Sequence, residues 1–318
     1  MDNTHKAAWK NLFPRPWLFC GALLALTVSS IGAETLKIRE EEQMKPFMEP
    51  WIAAFQQSHP DVKFEVTRGH WKPENRSSIG ADEELLFRIN DKEFFQKYGY
   101  SPFSICVSSG GKHIIGTIAA LGVYVHPSNP IKSLTLNQIQ AIYSAAPLDG
   151  RPIVSKWGEL GLTGEWADRP INAYGRETHQ GASNYFVNRA LGGVGYNKRY
   201  QALKNTTVII ETVAKDVAGI GYAAISYETP LVKSVGLAEK DGAVTGQANY
   251  ADVASLKYPL SYPLFISINR VPGQPLSPAT KAFLKYALSK EGQQAVAISG
   301  YLPLPQEIVE MELSKLDL

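Results

Sequence analysis

Residues 35–39 read Thr35-Leu36-Lys37-Ile38-Arg39, and residues 62–66 read Val62-Lys63-Phe64-Glu65-Val66. Both alternate apolar with polar side chains, the period of a strand with one buried face. Between them Met44, Phe47, Met48, Trp51, Ile52 and Phe55 recur at spacings of three and four, which puts them on one helical face. A strand, a helix and a second strand within about thirty residues imply a parallel pair with the helix packed on it. The stretch therefore predicts an α/β fold.

The same alternation continues along the chain. Strands are predicted at Phe103 to Val107, Leu121 to Val125, Pro170 to Gly175, Thr207 to Ile210, Gly219 to Ala223 and Pro263 to Asn269. A helix is predicted at Asp91 to Tyr98. Another opens at Thr135-Leu136-Asn137-Gln138, a capping box, with Leu136, Ile139, Ile142 and Tyr143 on its apolar face. Ala182 to Leu191 reads as a helix closed by Gly192-Gly193. Ser277-Pro278 begins a helix with a capping hydroxyl and a first-turn proline. A last helix runs from Ser289 to Gly300. Ser108-Ser109-Gly110-Gly111 reads as a glycine turn, with an anion-binding nest of backbone amides as the alternative. No repeats, heptads or low-complexity segments interrupt the pattern.

The first 33 residues have the layout of an export signal. Lys6, Lys10 and Arg15 give a positive start, Trp17 to Val28 is apolar, and Ile31-Gly32-Ala33 offers a small-residue cleavage point. The apolar run is short for a membrane span. Phe19 before Cys20 argues against lipid attachment. Cleavage would leave 29 of the 32 basic and 29 of the 30 acidic residues, a net charge near zero. Nothing in that balance suggests a nucleic-acid partner. Of the 2 cysteines only Cys106 would remain, so no internal disulfide is possible, and its β-like setting predicts a buried, inert thiol.

The chemistry concentrates at Tyr174-Gly175-Arg176-Glu177-Thr178-His179-Gln180-Gly181-Ala182-Ser183-Asn184-Tyr185-Phe186. An apolar strand ends in an arginine, a short polar turn follows, and a helix begins. Free N–H groups at a helix start, a positive dipole end and one guanidinium make an anion site. Arg176 would supply the charge. The backbone N–H groups of Gln180, Gly181, Ala182 and Ser183 would form the cradle, with Thr178 and Ser183 as side-chain donors. The alternative for Arg176 is a buried ion pair with one of Glu40, Glu41 or Glu42. His179 is either pH-sensitive or simply solvated.

Catalytic signatures are missing. There is no Gly-x-Ser-x-Gly elbow and no His-Glu-x-x-His, and the 6 histidines show no metal-ligand spacing. Gly219-Ile220-Gly221-Tyr222 only loosely echoes a dinucleotide fingerprint, with no acidic residue at the required distance. Neither an enzyme nor a cofactor or metal is expected. Trp51, Trp157 and Trp166 read as packing residues.

With these residues in view, the chain resembles the phosphate-binding proteins of bacterial ABC importers, in the type II periplasmic binding-protein superfamily. Met44-Lys45-Pro46 carries the resemblance, with Val123-Tyr124-Val125-His126-Pro127-Ser128-Asn129-Pro130, Trp157-Gly158-Glu159-Leu160-Gly161-Leu162-Thr163-Gly164-Glu165-Trp166 and Tyr174-Gly175-Arg176. Gly219-Ile220-Gly221-Tyr222, Tyr258-Pro259-Leu260 and Gly300-Tyr301-Leu302-Pro303-Leu304 complete it. The resemblance implies two lobes, a ligand cleft between them, closure on a small oxyanion, an ABC permease partner, a periplasmic location and a monomer. The expected division is a signal over 1–33, lobe one over 34–124 and 226–318, and lobe two over 125–225. Asp82, in an Ala-Asp segment like the family's, would accept the proton of a monohydrogen oxyanion.

The chain departs from the family where the anion is held. Glu40-Glu41-Glu42-Gln43 replaces a Gly-Ser-x-Thr type turn, Phe87-Arg88 a Ser-Arg pair, and Gln180-Gly181-Ala182 a Ser-Gly-Thr. Each donor missing from a buried anion costs about 1–3 kcal/mol. Two readings follow: an oxyanion-binding importer component, or a scaffold that kept the fold and lost the ligand.

Overall fold

The computed structural model describes residues 34–40, 45–68, 85–87, 91–111, 119–147, 150–177 and 181–317. Along the chain come β1 (Glu34–Glu40), α1 (Lys45–Ser58), β2 (Val62–Arg68), β3 (Leu85–Phe87), α2 (Asp91–Tyr98), β4 (Phe103–Ser108), β5 (Gly110–Gly111), β6 (Leu121–Val125), β7 (Ser133–Thr135) and α3 (Leu136–Tyr143). Then follow β8 (Asn172–Arg176), α4 (Gly181–Ala190), β9 (Gln201–Leu203), α5 (Thr206–Lys215), β10 (Gly219–Ala224), β11 (Lys233–Ala238) and α6 (Tyr250–Ala254). Last are β12 (Leu264–Ile268), α7 (Pro278–Leu288), α8 (Lys290–Ile298), β13 (Tyr301–Leu302) and α9 (Gln306–Lys315).

The strands form two main sheets. The first has the order β2-β1-β3-β12-β4, with β1 parallel to both β2 and β3 and with β12 antiparallel to β3 and β4. The opening β-α-β unit is thus parallel, as its sequence predicts. Phe47, Met48, Trp51 and Phe55 of α1 are buried with Ile105, Ile266, Phe283 and Leu284 in one core. The second sheet has the order β7-β11-β6-β10-β8-β9 and a separate core around Val123, Ile139, Tyr143, Trp157, Phe186 and Tyr222. Trp51, Trp157 and Trp166 are all buried core residues.

Caps at helix starts are as their sequences predict. Thr135 and Gln138 make a reciprocal capping box, and Ser277 and Ser289 cap α7 and α8 through their hydroxyls. Gly192 and Gly193, just past α4, have φ values of 62° and 80°.

Several expectations are corrected by the structure. Thr207 to Ile210 is not a strand but the first turns of α5. Asn205 accepts from the Val208 N–H at 2.9 Å, and Ile209, Ile210 and Val213 bury against Tyr174 and Ala223. Tertiary packing here outweighs the strand preference of β-branched side chains. Residues 108–111 form neither an open turn nor an anion nest. Gly110 and Gly111 pair with Leu302 and Tyr301, and the Ser109 N–H donates to the Leu302 carbonyl at 3.0 Å. A side chain at Gly110 would meet the Ala119 carbonyl oxygen at 2.7 Å. The helix from Ser289 is followed by one more, α9. Strand β11 had no counterpart in the sequence reading.

The chain passes between the two sheets in segments that lie side by side. The Leu121 N–H donates to Leu260 at 3.0 Å, and the Tyr262 N–H donates to Ala119 at 2.9 Å. The expected division at 124 and 226 assigns β6 and β11 to lobe one; by pairing, both strands belong to the second sheet.

Cys106 is 2% exposed in β4, and its Sγ points at the Ser108 carbonyl at 3.6 Å. Burial, reinforced by the Glu312 carboxylate, pushes the thiol up to about 12, which leaves it protonated and unreactive.

Candidate functional site

Strand β8 lies between β10 and β9, parallel to both. Ala173, Tyr174 and Gly175 are buried, and the strand surfaces at Arg176, which is half-buried. Gly175 is required by close approach. A Cβ there would lie 2.2 Å from Tyr222 Cε1 and 2.6 Å from the Tyr200 hydroxyl. Beyond Arg176 comes the exposed Glu177, and α4 begins at Gly181.

Arg176 takes part in none of the ion pairs among the described residues. Glu41 and Glu42, proposed as its partners, and the side chain of Glu40 lie outside the described residues. Thr178, His179, Gln180 and Asp82 also lie outside them.

The first turn of α4 holds the other predicted site residues. Gly181 is exposed, and apart from its own chain neighbours and helix backbone no described atom lies within 4 Å of where a Cβ would sit, so among the described residues a ligand has room to approach its backbone. Ala182 is half-buried against the second core. Ser183 is 1% exposed, and its hydroxyl lies 3.0 Å from the Tyr196 hydroxyl. The first turn has no acidic residue to oppose an anion, and the last turn carries Arg189, whose guanidinium grips both oxygens of Glu239 at 2.9 and 2.5 Å. Midway along α4, Tyr185 donates to the Ser261 carbonyl and packs edge-on to Tyr262 at 4.4 Å. The helix is therefore tied to one of the segments that run between the sheets.

Behind Arg176 lies a cluster of tyrosines that the sequence reading missed. Tyr196 and Tyr200 stack at 3.8 Å, and Tyr222 stacks on Phe186 at 4.0 Å. Tyr143 donates to the carbonyls of Tyr174 and Ile220 at 3.3 and 3.2 Å. The only sequence signals were the i,i+4 pair Tyr196 and Tyr200 and the tyrosine of Gly219-Ile220-Gly221-Tyr222.

Burial, then the neighbouring tyrosines, raises the hydroxyls of Tyr143, Tyr196 and Tyr200 well above the ordinary tyrosine range. A folded-state value above the unfolded one favours the native chain up to about pH 10, and that contribution falls as pH rises further. A tyrosinate absorbance titration should therefore show two steps. The first step comes from tyrosines outside the buried cluster, and the buried set ionises only as the chain unfolds. A single smooth titration with the fold intact would contradict this burial.

Among the described residues no group of three or more His, Cys, Asp or Glu side chains is placed to hold a metal, and no helix is long and apolar enough to cross a membrane.

This geometry has known counterparts. The sequence profile described as "PBP superfamily domain" matches residues 90–291. The phosphate-binding protein PstS of Pseudomonas aeruginosa is 34% identical over 298 residues, which cover 92% of this chain and 87% of that protein. The chain belongs to the phosphate-binding protein family of the PBP superfamily. Protein SphX of Synechocystis sp. is 27% identical, over 90% of this chain and 84% of the relative. Among solved structures, PstS from Borrelia burgdorferi superposes with a TM-score of 0.56 at 14% identity, over 86% of this chain and all of that one. An ABC-type phosphate transport receptor from Vibrio cholerae gives 0.52 at 17% identity, over 85% and 100%. These likenesses establish the two-lobed type II periplasmic binding-protein fold, mixed α/β, and the family is one of solute-binding proteins.

Proposed function

We propose that this chain is a periplasmic solute-binding protein that takes up a small oxyanion, phosphate or a relative, for an ABC permease. The observation that carries the reading is Arg176. It is a half-buried cation at the carboxyl end of a strand, just before a helix start, and no described carboxylate pairs with it. Ligands of open α/β sheets gather at such strand ends, and a helix N-terminus favours negative charge. The relatives' names, which are those of phosphate-binding proteins, support the same reading.

In this reading the guanidinium neutralises the anion, and the N–H groups from Gln180 to Ser183 hold its oxygens. Thr178 and Asp82 complete the shell as donor and as acceptor of the ligand's proton. Each lobe is built around one of the two sheets, with the ligand in the cleft and release of residues 1–33 on export. The protein works as a monomer, without a cofactor and without catalysis.

Isothermal titration with phosphate and a panel of other oxyanions tests the proposal. Micromolar or tighter binding of at least one is expected. A flat titration by a folded chain would establish the rival, a ligand-free scaffold. The hydroxyl-poor segments Glu40-Glu41-Glu42-Gln43 and Gln180-Gly181-Ala182 are what favour that rival.

A further inference from the structure

Five polar contacts connect the first turn of α4 to the peptide of Arg176. The Ser183 hydroxyl lies 3.0 Å from that of Tyr196, Tyr196 lies 2.7 Å from Tyr222, and Tyr222 lies 3.4 Å from Tyr200. Tyr200 donates to the Arg176 carbonyl, and the Arg176 N–H donates to the Tyr222 hydroxyl at 3.3 Å. A hydroxyl has one proton and two lone pairs. That count decides the direction of every contact.

The Arg176 carbonyl can only accept, so it takes the proton of Tyr200. The Tyr200–Tyr222 contact then requires the proton of Tyr222. The Tyr222–Tyr196 contact in turn requires that of Tyr196, and the last contact requires that of Ser183. A single arrangement makes all five bonds: Ser183 to Tyr196 to Tyr222 to Tyr200 to the Arg176 carbonyl. In it, Tyr222 uses both lone pairs, one for Tyr196 and one for the Arg176 N–H. The reverse direction would leave the Tyr200–Tyr222 contact without a proton. Tyrosine hydroxyls are protonated at neutral pH, and burial raises those of Tyr196 and Tyr200 further, so the chain of hydroxyls persists into alkaline solution.

We propose that Ser183, Tyr196, Tyr222 and Tyr200 form a one-directional hydroxyl chain that clamps the start of α4 to the backbone N–H and carbonyl of Arg176. They are positioning residues. They set the guanidinium and the helix N–H groups at one spacing before a ligand arrives, which is what preorganised binding requires. The proposal rests on the oxyanion reading for its purpose and changes one assignment within it. The Ser183 proton is directed inward, so Ser183 orients the site and gives the ligand no side-chain hydrogen bond. The specificity of the described part of the site then falls to Arg176 and backbone N–H groups, a set suited to a compact polyoxygen anion.

Two measurements on the full chain test this. The first needs no ligand. In Tyr222→Phe the ring still stacks on Phe186, but the acceptor for the Arg176 N–H is lost. Amide hydrogen exchange at Arg176 should rise by about tenfold, the loss of one hydrogen bond, while Tyr124 and Val125 in the same sheet keep their rates. Unchanged exchange at Arg176 would overturn the clamp, whatever phosphate does.

The second is titration with inorganic phosphate, well below the melting temperature of each variant. Ser183→Ala and Tyr222→Phe should each weaken binding by about tenfold, and the double variant by little more than either alone, because both break one chain. Weakening by Ser183→Ala alone, or fully additive losses, would overturn the proposal and return Ser183 to direct ligand contact. A wild-type chain that binds neither phosphate nor any other oxyanion of the panel, with faster Arg176 exchange in Tyr222→Phe, would refute the oxyanion reading and leave the clamp standing.

Discussion

Arg176→Ala will lose oxyanion binding by a factor of about 30 to several thousand. The range corresponds to about 2–5 kcal/mol for removing one partner of a desolvated charge pair, at about 1.4 kcal/mol per decade. The stability of the empty protein should hardly change. Arg176 is half-buried and in no ion pair among the described residues, so no described carboxylate is orphaned. Its peptide, held by Tyr200 and Tyr222, does not depend on the side chain. Arg176→Lys should fall between the two, keeping the charge but losing the two-pronged fork. The check is calorimetric titration beside a melting curve. Equal affinity in wild type and Arg176→Ala would move the anion elsewhere or remove it altogether.

Trp51→Ala will be among the most destabilising single changes in the chain, by about 3–5 kcal/mol for truncating a fully buried ring. Trp51 is 0% exposed, stands edge-on to Phe47 at 5.0 Å and Phe283 at 6.4 Å, and donates from Nε1 to the Gly292 carbonyl at 2.8 Å. Truncation opens a cavity between α1 and α7 and removes the indole hydrogen bond to the α8 backbone, about 0.5–1.5 kcal/mol within that loss. Val244→Ala, at a position 72% exposed, should stay within about 0.5 kcal/mol of wild type. Urea midpoints measure both. A Trp51→Ala midpoint close to wild type would mean that this core is not the one described.

The fold was legible wherever burial and period agree. The α1 face at Phe47, Met48, Trp51 and Phe55 is buried as its spacing requires, and the capping box at Thr135 and the proline start at Ser277-Pro278 mark helices where they stand. The reading failed where the local pattern was ambiguous. Thr207 to Ile210 is β-branched, so it looks like a strand, yet Ile209 and Val213 sit on Gly221 as one helical face. A short β-branched run does not by itself distinguish the two outcomes; the room above Gly221 does. Ser108 to Gly111 carries turn residues, but Gly110 is needed because the backbone of Ala119 passes so close.

At the candidate site the legible part was the chemistry of one segment. A strand ending in Arg176, a polar turn and a helix start can be read in order, because they are contiguous. The tyrosines could not be read in this way. Tyr196, Tyr200 and Tyr222 lie 20 or more residues from Arg176 along the chain, and their hydroxyls converge because β10 and the segment leading into β9 flank β8. The same contact changes the meaning of Ser183. By sequence it is a helix-start hydroxyl available to a ligand; in the fold it faces the tyrosines.

What the sequence by itself determined is the class of fold, the helix ends and the position of a cation before a helix, since each follows from local periodicity and from groups a few residues apart. What only the tertiary structure decided is which strands share a sheet, why Gly175 has no side chain and how the Arg176 peptide is held. These depend on the close approach of atoms distant along the chain, and no local pattern encodes which distant backbone or hydroxyl will fill the space.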